Sequence, residues 1–169
     1  MDNVELDKMF IEAFRERGEC ISSFALIEWG MSDFIAYHYF KESPTERDKF
    51  KSEVLDDPWL NFSLRKRIFR KLLEKYYPDV DKHIPRGLGK LKEMRDKIAH
   101  AKLAADWILN EEGEIVKIIK MYYLIEGEKY ESKQMYTEFS RLATLFEGSL
   151  INLPGFTGKL TKLYDPKDK

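Results

Sequence analysis

Cysteine is nearly missing from this chain: among 169 residues there is one, Cys20. An internal disulfide and a CxxC metal or redox pair are thereby excluded, and thiol chemistry would rest on a single side chain. The place of Cys20 in an apolar stripe assigns it to packing, as a small buried hydrophobe. Long apolar runs are missing as well, and no stretch approaches the roughly 20 residues that a membrane span requires. The first residues include the acids Asp2, Glu5 and Asp7 without an uninterrupted apolar run. No signal peptide is therefore expected, and the protein is read as cytoplasmic, with no membrane partner. The formal net charge is only −1, so nucleic-acid binding would need a local basic patch rather than the charge of the whole molecule. Histidine is sparse: His38, His83 and His100 lie far apart, and neither HExxH nor a close His/Cys cluster occurs. No metal and no cofactor are expected. Acids are plentiful, but nothing selects two of them as a glycosidase pair.

What is abundant points to an ordered, well-solvated domain. Aromatics reach 14% and charged residues 35%, too many of the first for disorder and enough of the second to cover a surface. No repeat, linker or low-complexity block divides residues 1–169, so a single domain is expected. A first helical region is expected from about Val4 to Phe40, with a break at Gly18. Leu6, Phe10 and Ala13 share a face before the glycine, and Cys20, Phe24, Ile27, Met31, Phe34 and His38 continue the period after it. Ile21, Ala25, Ile35 and Tyr39 widen the stripe, as suits a central helix or one facing a second copy. Glu28 lies within it, either as a partly exposed acid or as the partner of a cation such as Arg95.

Ser43-Pro44-Thr45-Glu46 is a helix start with a capping box, opening a short helix that ends near Asp56-Asp57-Pro58. Asn61 or Ser63 starts the next, with Leu64, Ile68, Leu72 and Tyr76 four apart, and Tyr77-Pro78 ends it. Arg65, Lys66, Arg67, Arg70 and Lys71 lie on its polar side, as a solvated face or as a patch for phosphates. The loop from Pro78 to Arg86 leads into a helix ending at His100. Gly87-Leu88-Gly89-Lys90 lacks the spacing and the hydroxyl of a phosphate loop and reads as a helix entry. After His100 the period changes: a β insert over about 104–131 forms a hairpin or meander, turning at 110–113 and 126–128. A last helix begins near Ser132 to Gln134 and aligns Met135, Phe139, Leu142, Phe146 and Leu150. The tail, about 155–169, is expected to be loose. The expected fold is mainly α, an antiparallel helical bundle with a small antiparallel β insert before the last helix.

The candidate chemistry is concentrated in Leu91-Lys92-Glu93-Met94-Arg95-Asp96-Lys97-Ile98-Ala99-His100. Leu88, Leu91, Met94 and Ile98 define an apolar face, and Arg95 falls beside it, where a cation needs an anion or a wet cleft. Asp96 and His100, four apart, are neighbours, so the carboxylate could orient the imidazole. Arginine matches phosphate through its donor fork, and histidine moves protons near neutrality. Together they suit attack of a ribose hydroxyl on the neighbouring phosphate, with the cation stabilising the charge that develops. Spacing alone leaves a structural alternative open, with His100 as a helix-end cap and Arg95 in a salt bridge. Five residues separate Arg95 from His100, which turns them about 140° apart on an ideal helix. Two copies related by a two-fold axis could aim both at one phosphate.

Arg95-Asp96-Lys97-Ile98-Ala99-His100 resembles the RxxxxH motif of HEPN domains, and the surrounding leucines, the alanine before histidine and the order of helices are similar too. The resemblance covers about Ile21 to His100 and, more loosely, the last helix. It implies a helical bundle that forms a homodimer, with the motifs of both subunits facing one cleft. It further implies a metal-independent endoribonuclease acting on RNA, as a toxin or phage-defence effector or within RNA processing, with an antitoxin or defence-system protein as partner. By the same resemblance His100 transfers protons, Arg95 binds the scissile phosphate and Asp96 orients one or both. The alternative is a catalytically inactive HEPN-like interaction or nucleotide-binding module.

Overall fold

A computed structural model describes residues 3–57, 59–80 and 84–155. Their elements run α1 (Asn3–Tyr39), α2 (Pro44–Phe50), a π-helical turn (Lys51–Leu55), α3 (Phe62–Tyr76), α4 (Ile84–His100), β1 (Lys102–Leu109), β2 (Ile115–Ile125), β3 (Glu128–Glu131) and α5 (Ser132–Leu150). The described chain is thus mainly helical with a small antiparallel sheet before its last helix. His83 and the expected tail beyond Gly155 lie outside the described residues. No described helix is long and apolar enough to cross a membrane. Contacts group the chain into two compact units, residues up to Ser22 with Leu91–Leu142, and Ser23–Lys90 with residues from Ala143 onward.

In the first unit the strands pair in the order β1-β2-β3. Both turns need backbone conformations that favour glycine or a small polar side chain. Asn110 Oδ1 accepts from the amides of Glu112 (3.1 Å) and Glu114 (2.8 Å), and Gly113 has φ +82°. Between β2 and β3, Glu126 and Gly127 both have positive φ, +53° and +88°, which suits the right-handed twist of a tight hairpin. The register of β1 on β2 shifts twice, skipping Ile119 and then Val116 on β2. The first shift explains why Ile118 and Met121, three residues apart, are both buried: one extra residue rephases the side-chain alternation. They pack with Ala13 of α1, and Met9, Phe10, Leu103 and Ala105 border the cluster. Tyr123, fully buried, donates its hydroxyl to the Ala13 carbonyl at 3.4 Å. β1 is an edge strand, and Trp107, Ile108 and Leu109 at its end are about half exposed.

In the second unit the wide apolar stripe of α1 meets α3. Phe24 lies 5.3 Å from Phe62 and Phe34 lies 5.0 Å from Phe69, centroid to centroid. Asn61 caps α3 by accepting from the Leu64 amide at 3.0 Å. Lys51, in the π turn, bonds Asp33 at 2.5 Å and lies over the Trp29 ring.

Four expectations are corrected. Gly18 does not break α1, which is one helix of 37 residues; a helical glycine costs only about 1 kcal/mol, less than the stripe of buried contacts contributes. Ser43 stands at the N-cap of α2 but its side chain makes no capping bond; Pro44 at the first helical position marks the start instead. The inward face of α3 is Phe62, Phe69, Leu72 and Leu73 rather than the Leu64–Ile68–Leu72–Tyr76 row, because the larger aromatic rings take the interior. α4 begins at Ile84, so Gly87 and Gly89 lie inside the helix rather than at its entry. Glu28 stands as a partly exposed acid, with Arg65 3.9 Å away.

Two glycine substitutions are expected to act with opposite sign. Gly18 is exposed and a Cβ there meets nothing within 4 Å, so Gly18→Ala is expected to stabilise by about 0.5–1 kcal/mol. Gly155 has φ +82° and a Cβ there collides with the Tyr37 side chain. Gly155→Ala is expected to destabilise by about 1–2 kcal/mol or more. Urea midpoints of the two variants check the pair.

Candidate functional site

The last turns of α4 follow the apolar face expected of them: Leu88, Leu91, Met94 and Ile98 are all buried. Arg95 beside that face is mostly covered, with 25% of its side chain exposed, and Asp96 retains 35%. Arg95 Nη1 lies 2.8 Å from Asp96 Oδ1, while the other carboxylate oxygen of Asp96 accepts from Lys92 one turn earlier. Asp96 therefore holds two cations. Among the described residues no hydrogen bond or ion pair joins it to His100, which corrects the expected carboxylate–imidazole pairing. The carboxylate has other claimants, since the Arg95 guanidinium and the Lys92 ammonium both bond it. Lys97 pairs with Glu93 at 2.8 Å, which raises the lysine pKa, the hydrogen bond contributing most.

His100 is exposed and is the final residue of α4. α4 is unbroken through Arg95 and His100, so the two remain about 140° apart around its axis. The structure brings Arg95 and Asp96 together and leaves His100 on a separate side of the helix. Within one chain, then, the guanidinium and the imidazole present themselves to different approaches.

The end of α4 is held by a residue that the motif does not contain. Arg17 of α1 donates from Nη2 to the Ala101 carbonyl at 2.5 Å, directly after His100. Its guanidinium carbon lies 5.4 Å from the Tyr123 ring centroid and 5.8 Å from that of Phe14. A cation is favoured there because the carbonyls at a helix C-terminus lack intrahelical donors and carry the negative end of the helix dipole. One position earlier, Glu16 is buried (2% exposed) and accepts from Lys133 of α5 at 2.7 Å. Tyr136 donates to Glu19 at 2.5 Å on the next turn. A cleft of about 230 Å³ borders this pair, lined by Met9, Glu12 and Glu16 of α1 and Lys120 of β2 among others. Glu16 and Glu19 together with burial push the Cys20 thiol up to about 12, burial contributing most, so the thiol is protonated and inert at neutral pH. The signal for Arg17 was present in the sequence: between Ala13 and Cys20 the helical period calls for an apolar residue and finds a charge.

Among the described residues, no group of three or more His, Cys, Asp and Glu side chains is arranged to hold a metal ion. The chain matches no protein-family model, no curated protein and no solved structure.

Arg17→Ala is expected to cost about 1.5–3 kcal/mol, the range for a hydrogen bond to a charged group. Amide hydrogen exchange should rise at residues 98–101 more than elsewhere in α4, because only that end loses its anchor. Chemical denaturation and exchange mass spectrometry together check both parts.

Proposed function

We propose that the protein is a metal-independent endoribonuclease of HEPN type, built on a HEPN-like helical bundle and acting as a homodimer. The observation that carries this reading is the end of α4, where an exposed His100 and a mostly covered, carboxylate-held Arg95 stand five residues apart on one rigid helix. Their divergence within a chain supports a composite site, in which two copies of α4 face one RNA strand across a two-fold axis.

In that arrangement His100 takes the proton from a ribose 2′-hydroxyl as the 2′-oxygen attacks the adjacent phosphorus. The bond from phosphorus to the 5′-oxygen breaks, and the leaving oxygen receives a proton from His100 of the partner subunit. The products are a 2′,3′-cyclic phosphate and a 5′-hydroxyl. Arg95 offsets the extra negative charge on the non-bridging oxygens, and Asp96, bonded to Arg95 at 2.8 Å, fixes the direction of the guanidinium. Such an activity fits a toxin or phage-defence effector kept in check by an antitoxin or another defence-system protein.

One contact favours a second reading. Asp96 already neutralises Arg95 and engages Lys92, so the motif is internally compensated. In a non-catalytic interaction module or a nucleotide-binding bundle the same three residues would serve as a structural ion cluster, with His100 ending the helix.

Cleavage of a labelled RNA is expected to proceed unchanged in excess chelator and to yield cyclic-phosphate ends. His100→Ala and Arg95→Ala, with urea midpoints near the native value, should each lose at least about 100-fold in rate, and Asp96→Asn less. An equimolar mixture of the Arg95→Ala and His100→Ala chains, refolded together, should stay as inactive as either alone, since a mixed dimer carries one His100 and the proton transfers use one from each subunit. Activity that survives both substitutions, or none from the native protein alongside a nucleotide-dependent rise in melting temperature, would favour the second reading.

A further inference from the structure

A second cleft, of about 340 Å³, lies within the second unit between the end of α1 and one side of α3. Arg67, Lys71 and Lys75 recur every four residues along α3, so they form one stripe with a step of about 6 Å along the axis. Arg67 and Lys71 are exposed, and among the described residues neither makes an ion pair, whereas the adjacent Arg70 bonds Glu74 at 3.5 Å. Across from the stripe, the His38 ring stacks on Tyr76, with centroids 4.9 Å and planes 16° apart. Tyr77 Oη lies 3.4 Å from His38 Nε2 and fixes that ring. Tyr39 and Tyr76 are 59% and 45% exposed, and the exposed Lys75 ammonium lies 4.7 Å from the Tyr76 ring centroid, where a base would take its place. Ile68 and Leu72 complete the lining, which contains no acid.

The plain reading of three lysines and arginines on a helix is a solvated face. Such a face in a protein of net charge −1 carries acids among its cations, and here the acids are sorted out of the cleft and aromatic rings are sorted in. An acidic peptide would use the charges but has no use for exposed aromatic rings beside them. A lone phosphate would use one cation. Successive cations at a step close to that between neighbouring phosphates, beside rings that offer π-faces, match a strand of unpaired nucleotides. Burial, and secondarily Lys41, lower the His38 pKa, which keeps that ring neutral for stacking at neutral pH.

We propose that this cleft binds single-stranded nucleic acid, with consecutive phosphates along Arg67, Lys71 and Lys75 and bases against Tyr39 and Tyr76. The site is separate from the Arg95–His100 motif and stands whether or not that motif cleaves RNA.

The test uses the full chain and a fluorescent oligo-deoxythymidylate of about 12 nucleotides. This strand has no 2′-hydroxyl and so stays intact under the cleavage chemistry above, which separates a failure of binding from a failure of catalysis. Anisotropy from about 50 to 200 mM salt should give log K falling with log salt at a slope of about −2, as three phosphate contacts on a single strand require. The Arg67→Ala/Lys71→Ala/Lys75→Ala variant should weaken binding at least about tenfold and flatten the slope. Tyr76→Ala and Tyr39→Ala should each weaken it about tenfold with the slope kept, and Tyr76→Phe should bind as the native protein does. No binding by the native chain, an unchanged affinity in the triple variant, or equal affinity for a duplex would overturn the proposal. So would equal competition by polyglutamate at matched charge, which would point to an acidic protein partner.

Discussion

Arg17 sets the terms for the first unit. It stands where α1 would otherwise present an apolar residue, and its guanidinium reaches the Ala101 carbonyl at 2.5 Å with Tyr123 and Phe14 alongside. That single donor fixes where α4 gives way to β1, because Ala101 separates the last helical residue from Lys102, the first of the strand. Glu16 makes the matching demand on α5: a carboxylate buried to this degree has to be met, and Lys133 in the first turn of α5 meets it. Two consecutive charges on one helix thereby specify the placement of two other elements. An apolar pair could pack as tightly, but would not fix which backbone atom lies opposite, and direction is what a polar contact adds.

His100 is exposed, and the carbonyl that follows it is held by Arg17. A terminal helical residue usually frays, and a proton-transfer group that frays has no defined approach to its substrate. Anchoring the following carbonyl confines the backbone while the ring itself stays exposed. Arg95 is constrained differently, through the side chain of Asp96 rather than through the backbone. The motif and the basic aromatic cleft belong to different units and differ in kind. The first has its charges compensated, the second leaves Arg67 and Lys71 uncompensated among the described residues. A group that reacts needs orientation, and a surface that captures a polyanion needs unneutralised field.

Much of the architecture could be read from the residues because periodicity and punctuation agree with the physics of each element. Ser43-Pro44, Asn61, Tyr77-Pro78 and the Asn110–Gly113 turn all mark boundaries that the structure keeps. Most of the apolar rows of α1 and α5 are buried, with Phe10, His38, Met135 and Leu142 only partly covered. What was not legible has two sources. Gly18 and Gly87 are locally unfavourable in a helix, and tertiary packing overrides a preference of that size. Glu16 and Arg17 lie at inward positions whose partners, Lys133 and Ala101, are distant in sequence, so no local pattern could name them. The candidate triplet shows both sides: Arg95 was placed beside the apolar face by its spacing, yet the preference of Asp96 for Lys92 over His100 depends on competing charges one turn away. The bulge at Ile119 was likewise invisible, because it appears only when two strands are laid side by side.

That bulge, and its companion at Val116, have an effect beyond the core. The outer rim of β1 ends in Trp107-Ile108-Leu109, three exposed, greasy residues on a strand that has no neighbour on one side among the described residues. A straight rim of this kind is a template on which foreign strands stack, and from which insoluble fibrils grow. Opposite this stretch β2 carries an extra residue twice, at Ile119 and Val116, and each extra residue increases the local twist, which bends the rim away from the flat ladder that an incoming strand would have to match. The irregularity that seats Ile118 inside thus also works against strand addition along this margin.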